Sequence, residues 1–152
     1  MKKFLINIVI FFAVVIACDY LMGSVLLFMN LNSKVADNGR NNMINKEMTA
    51  DIVILGSSRA LHHYVPQIIE DTLGLTCYNA GTDGQGIILN YGRYQMLSQR
   101  YTPKIIIYDI CPEYDLNTND NSRYLKWLKP YYFDSSVREI FKDISCEESL
   151  KI

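Results

Sequence analysis

Residues 51–60 read DIVILGSSRA, and this stretch decides the fold. Ile52 to Leu55 are apolar and mostly β-branched, and a glycine and two serines follow them. A run this short, bounded by turn residues, predicts a buried strand ending in a tight turn that hands the chain to a helix. Ligands of an open parallel sheet sit beyond the carboxyl ends of its strands. A serine at such a turn has backbone N–H groups beside it to hold a developing oxyanion, which makes Ser58 the candidate nucleophile.

Downstream, the same grammar repeats. Pro66 suits the first turn of a helix, Ile68, Ile69 and Leu73 give that helix an apolar side, and Gly74 stops it. Leu75 to Asn79 reads as a second short strand running into the glycine-rich loop Ala80-Gly81-Thr82-Asp83-Gly84-Gln85-Gly86. Glycines so closely spaced imply backbone held close to something. Ile87, Tyr91, Tyr94 and Tyr101 fall at helical spacing, Pro103 closes that helix, and Lys104 to Ile110 forms a third strand. Strand, helix, strand, helix, strand predicts an α/β fold: a parallel sheet with right-handed crossovers, in three layers. If the first strand lies between the other two, in a flavodoxin-like order, Ser57, Ser58, Arg59, Asn79, Gly81, Asp83 and Asp109 converge at one crevice. Beyond Pro112, Ser122–Leu128 and Ser135–Ile144 read as short helices around the aromatic run Tyr131-Tyr132-Phe133.

Upstream of the organising stretch, Met1-Lys2-Lys3 precedes a mostly apolar run from Phe4 to Met29. As a helix it rises roughly 39 Å, enough to cross a hydrocarbon core of about 30 Å with some tilt. Residues 1–30 are therefore expected to form one transmembrane anchor. Two other readings stand beside it. A cleaved signal peptide would have a shorter apolar part; a lipoprotein is suggested by Val15-Ile16-Ala17-Cys18, although the apolar run continues past that cysteine. The two lysines favour an extracytoplasmic domain, while Lys34, Arg40 and Lys46 weigh against it. Asp19, inside the span, either faces a protein partner or snorkels to the interface. Residues 31–50, rich in asparagine, read as a tether onto which Met43, Ile44 and Met48 are able to pack a short helix.

Composition narrows the function classes. The chain has 152 residues, 49% of them hydrophobic, and a net charge of −1, which argues against disorder and against a basic nucleic-acid-binding face. Cys18, Cys77, Cys111 and Cys146 show no C-x-x-C spacing and no adjacent histidine, so no metal site is expected, and the first three read as packing residues. The loop from Gly81 to Gly86 lacks the order of a dinucleotide fingerprint, and no Gly-Lys-Ser/Thr occurs, so no nucleotide or other cofactor is expected.

From about Asp51 to Pro112 the chain resembles the N-terminal half of SGNH (GDSL-like) hydrolases, particularly the membrane-anchored bacterial ones associated with cell-surface polymers. The family's first block, a strand ending in Gly-Asp-Ser, is matched by Gly56-Ser57-Ser58. Its second block, whose glycine N–H joins the oxyanion hole, is matched by Asn79-Ala80-Gly81. The third block normally carries an asparagine donor; here Asp109 stands at the end of the corresponding strand, and an ionised Asp accepts hydrogen bonds without donating. The family's C-terminal Asp-x-x-His is absent. The histidines His62 and His63 lie on the helix after the nucleophile, with no orienting partner evident, and read as structural or crevice-lining.

The resemblance implies that residues 51–152 are the N-terminal, incomplete part of an SGNH-type domain, inactive alone. The lineage is that of serine esterases or acyltransferases acting on an acyl ester or a cell-surface polysaccharide. In that chemistry Ser58 attacks an acyl carbonyl and the Gly81 N–H steadies the oxyanion. The alternative is a non-catalytic, envelope-anchored binding or scaffolding module acting through the same crevice or through Asp19. A half-built sheet is also expected to expose an edge strand.

Overall fold

The computed structural model describes residues 2–116 and 121–144. The chain forms two units, residues 1–40 and 41–152. The first is dominated by helix α1, Lys2–Asn32, none of whose residues is buried. Its mean hydropathy reaches 2.5, and by length and composition it is either a single membrane span or a signal sequence. Cys18 and Asp19 both lie on its exposed surface. A short helix, α2, Ala36–Asn42, runs up to and across the boundary.

In the second unit three strands form a parallel sheet: β1, Ile52–Gly56; β2, Cys77–Asn79; and β3, Ile105–Asp109. Their order is β2-β1-β3, so the first strand is central. Ile52 registers with Cys77 on one side and Ile105 on the other, and Gly56 registers with Asp109. Asp51 fixes the amino ends. Its carboxylate accepts from the Thr76 N–H and hydroxyl at 3.2 and 3.1 Å and pairs with Lys104 Nζ at 2.9 Å. The Lys104 hydrogen bond first, and then Thr76, hold that carboxyl below its ordinary range.

Alternation along β1 sends its side chains to two cores. Val53 and Leu55 pack with Ile44, Met48, Ala80 and Leu97, the last on helix α5, Ile87–Ser98. Ile52 and Ile54 pack with Cys77 and with Ala60 of helix α3, Ser58–His63. Ile69 of helix α4, Pro66–Leu73, leans on this second core, and Gly74, at φ +65°, ends α4 in the left-handed conformation that a glycine adopts without strain. The core does not extend fully over β3. Ile105 and Ile106, on opposite faces, are 42% and 40% exposed, and among the described residues no strand pairs with the outer edge of β3.

The second unit begins at Asn41, inside the asparagine-rich stretch read as a tether. Residues Met43–Glu47 form a π-helical turn in which Ile44 is fully buried, and Met48 joins the same core. The asparagines are buried through hydrogen bonds rather than apolar contact: Asn42 Oδ1 accepts from Tyr131 Oη at 2.7 Å, and Asn41 Oδ1 accepts from Arg93. Arg100 donates to the carbonyls of Asn45, Ile44 and Met48 at 3.0, 3.1 and 3.0 Å. A cation is well placed against exposed carbonyls at a helix C-terminus.

After β3 come α6, Pro112–Asp115; α7, Asn121–Leu125; a 3-10 turn, Lys129–Tyr131; and α8, Ser135–Ile144. The helix expected over 122–128 is thus shorter and starts one residue earlier, whereas that over 135–144 has the expected bounds. Val137, Ile140 and Phe141 bury the apolar side of α8. Cys18, Cys77 and Cys111 are free thiols, and of these Cys77 lies in the core. Cys146 lies outside the described residues.

Asp134 caps α8. Its Oδ1 accepts from Ser136 N and Oγ at 2.9 and 2.7 Å and from Gln99 Nε2 at 3.1 Å. Burial opposes its charge, but the Ser136 and Gln99 side chains and the Ser136 and Val137 amides outweigh that and hold the carboxyl below its ordinary range. A lowered folded-state pKa contributes stability above the unfolded value of about 3.9, and that contribution is lost as pH falls through the folded value. Asp134→Ala is expected to cost about 1 kcal/mol at neutral pH. The difference from the parent should shrink below about pH 4. Urea unfolding at two pH values checks both statements; a cost that grows on acidification would contradict them.

Candidate functional site

The site is built at the carboxyl end of β1. Gly56 has φ +146°, a conformation that favours glycine. A Cβ there would also lie 2.8 Å from the Asp109 carbonyl oxygen and 2.9 Å from Ala60 Cβ. Both constraints force a sharp turn that delivers Ser57 and Ser58 past the sheet edge. Ser57 is buried, and its Oγ has no hydrogen-bond partner among the described residues. Ser58 begins α3 half-exposed, and its Oγ makes no hydrogen bond among the described residues. The first helical bond of α3 runs from Leu61 N to Ser57 O. The N–H groups of residues 58–60 therefore lack helical acceptors.

The loop after β2 is pressed onto this helix. Gly81 sits so close that a Cβ would come within 2.5 Å of Leu61 N and 2.9 Å of Ala60 C. Gly81 is thus packed on the backbone of α3 at Ala60 and Leu61, two and three residues after Ser58 in the chain. The Gly81 N–H donates to Asn79 Oδ1 at 2.9 Å. Asn79 Nδ2 in turn donates to the carbonyls of Ala60 and Tyr64 at 2.7 and 3.0 Å. The side chain of Asn79 is therefore a clip that joins the loop to the C-terminal end of α3.

From α5, Arg93 reinforces the same loop. It is 1% exposed, and its Nη1 donates to Ala80 O and Thr82 Oγ1, each at 2.8 Å. Its Nη2 donates to Asn41 Oδ1. Five fixed N–H donors let one buried guanidinium satisfy several acceptors at once. Nothing in the sequence marks Arg93, since an arginine at mid-helix ordinarily points to water.

Asp109, at the third strand end, is already engaged. Its Oδ1 is 2.6 Å from Arg59 Nη2. Its carboxylate also accepts the Tyr64 phenol, and that hydrogen bond, followed by the carboxylate's charge, raises the phenol above its ordinary range. The group at the third-block position is thus an ion-paired acceptor. Arg59, expected from sequence either to bind an anion or to pair within the domain, pairs within the domain.

Structure supplies one partner that sequence did not. His62 Nε2 lies 2.9 Å from Asp83 Oδ1, although the two residues are far apart in the chain. His63 makes no hydrogen bond among the described residues. A separate apolar groove of about 330 Å³ lies between α5 and β3. It is lined by Leu55, Ile87, Asn90, Tyr91, Tyr94, Ile106 and Tyr108, and so by none of the residues at the serine turn. Tyr108 donates to Asp115 Oδ1 at 2.7 Å; burial first, and that contact second, push its phenol well above the ordinary range. Among the described residues no group of acidic, histidine and cysteine side chains is placed to hold a metal ion.

No protein-family model, no curated protein and no solved structure matches this chain.

Proposed function

We propose that the chain is a membrane-anchored, SGNH-hydrolase-like protein of the serine esterase or acyltransferase lineage, with α1 as its anchor and a flavodoxin-like domain on the extracytoplasmic side. The reading is carried by one observation: Ser58 emerges half-exposed from a glycine-forced turn at the end of the central strand, with Gly81 packed on the same short helix. Ser58 Oγ attacks an acyl carbonyl, and backbone N–H groups at the turn face the oxygen that gains charge. Asp109, tied to Arg59 and Tyr64, takes no part as a donor. Lys2 and Lys3 before the apolar run favour the extracytoplasmic side for the domain. An acyl ester presented at the membrane surface, such as one on a cell-surface polysaccharide, fits an anchored serine site.

A second reading, a non-catalytic envelope module, is favoured by the Gly81 N–H, which is committed to Asn79. One experiment separates the two. The resemblance alone implies a domain inactive by itself; the half-exposed serine turn instead predicts that a fluorophosphonate probe added to the full chain in detergent micelles labels the parent and fails to label Ser58→Ala. Equal labelling of both removes Ser58 from the chemistry, and no labelling of either favours the binding module.

A further inference from the structure

We infer that His62 and Asp83 act as the proton-accepting pair for Ser58. This inference rests on the serine-hydrolase reading above. Three features support it. His62 follows Ser58 by four residues on α3, and helical side chains lean toward the N-terminus, so the imidazole lies over the turn that holds Ser58. Next, Asp83 Oδ1 at 2.9 Å from Nε2 makes that nitrogen the N–H donor and leaves Nδ1 as the acceptor. Nδ1 is the ring nitrogen nearer the backbone, the one able to reach back one helical turn. Finally, the carboxylates of the crevice are divided in use: Asp109 is held by Arg59 and Tyr64, while Asp83 is paired with the imidazole.

Both members of the pair are exposed, at 60% and 63% of their side-chain surface. An exposed side-chain hydrogen bond contributes little to folding, so its value lies in fixing the tautomer and ring orientation. Asp83 is accordingly a positioning residue acting through His62. Ser58 Oγ and His62 share no hydrogen bond among the described residues. Catalytic hydrogen bonds commonly tighten only once substrate is bound.

The step balances without a co-reactant beyond the ester and its acceptor. As Ser58 Oγ bonds to the acyl carbon, its proton passes to His62 Nδ1. When the carbon–oxygen ester bond breaks, that proton moves to the departing alkoxide, which leaves as an alcohol. Water or an acceptor hydroxyl then gives its proton to Nδ1, takes the acyl group, and returns the hydroxyl to Ser58.

The test measures second-order labelling rates of the full chain in micelles with the fluorophosphonate probe. His62→Ala is expected to slow labelling about 100-fold. Added imidazole should restore much of the rate, which a merely structural role would not allow. Asp83→Asn should slow labelling about tenfold through loss of the correct tautomer, and His63→Ala should label as the parent does. If Ser58→Ala is blank while His62→Ala labels at the parent rate, the serine reading stands and the base assignment falls. A slow His62→Ala that imidazole does not rescue also overturns it, as does Asp83→Asn at the parent rate. A parent that takes no label overturns both.

Discussion

Arg93→Met is expected to lower the stability of the domain by about 4 kcal/mol, within the range for breaking a buried charged network. The methionine keeps the stem's apolar volume and removes every donor. Ala80 O, Thr82 Oγ1 and Asn41 Oδ1 then lose the guanidinium that now donates to them. Each buried acceptor left without a partner costs on the order of 1–3 kcal/mol. Against a typical domain stability of about 5–15 kcal/mol, the loss is a large fraction. Arg93→Lys should recover part of it, because an ammonium is a point charge without the planar fork. Trp127, the sole tryptophan, reports the unfolding of this unit in the full chain in micelles, independently of α1. A denaturant midpoint unchanged in Arg93→Met would show that the guanidinium contributes nothing net.

Gly81→Ala should cost about 3 kcal/mol, at the upper end of the ordinary overpacking range. The added methyl meets the backbone of Ala60 and Leu61, and no flexible side-chain tip is there to give way. Neither partner moves freely. Ala80 N and Thr82 N donate to Ile54 O and Gly56 O at 2.8 and 3.1 Å, so the loop is bonded to β1 on both sides of Gly81. Helix α3 is held by Asn79. The matched control lies in the same loop: Gly84 has φ +61° and open space around its Cβ position. Gly84→Ala therefore pays only the left-handed backbone cost, about 1–2 kcal/mol. If Gly81→Ala unfolds no earlier than Gly84→Ala, the close packing of the loop on α3 is not what holds it.

The sheet was legible because β1 is apolar on both faces and its punctuation is unambiguous. Gly56 and Gly74 each stop an element where their backbone conformation requires a glycine. The central place of β1 followed only conditionally from the sequence, since βαβαβ grammar permits more than one strand order. The run at β3 was less faithful. Ile105 to Ile107 fall within the third strand read from the sequence, and two of the three are more than a third exposed, because periodicity records apolarity and not whether a helix lies above it. The packing of residues 41–48 was half hidden. Of the three anchors identifiable in sequence, Ile44 and Met48 are buried and Met43 is exposed, while Asn41 and Asn42 are buried with hydrogen bonds to Arg93 and Tyr131, which leave no periodic trace. His62 and Asp83 meet for a reason of the same kind: the crossover through α4 and β2 brings helix α3 and the loop after β2 together, and no spacing rule encodes that.

The clip formed by Asn79 and Gly81 bears on how the site would diverge among related chains. Gly56, Asn79, Gly81 and Arg93 are each fixed by folding, through backbone conformation, steric clearance or buried hydrogen bonds. A descendant in which Ser58 did no chemistry would still be held to them, and the outline of its crevice would persist. The Ser58 hydroxyl and the His62 imidazole carry no comparable duty to the fold. Drift would register first at those two positions.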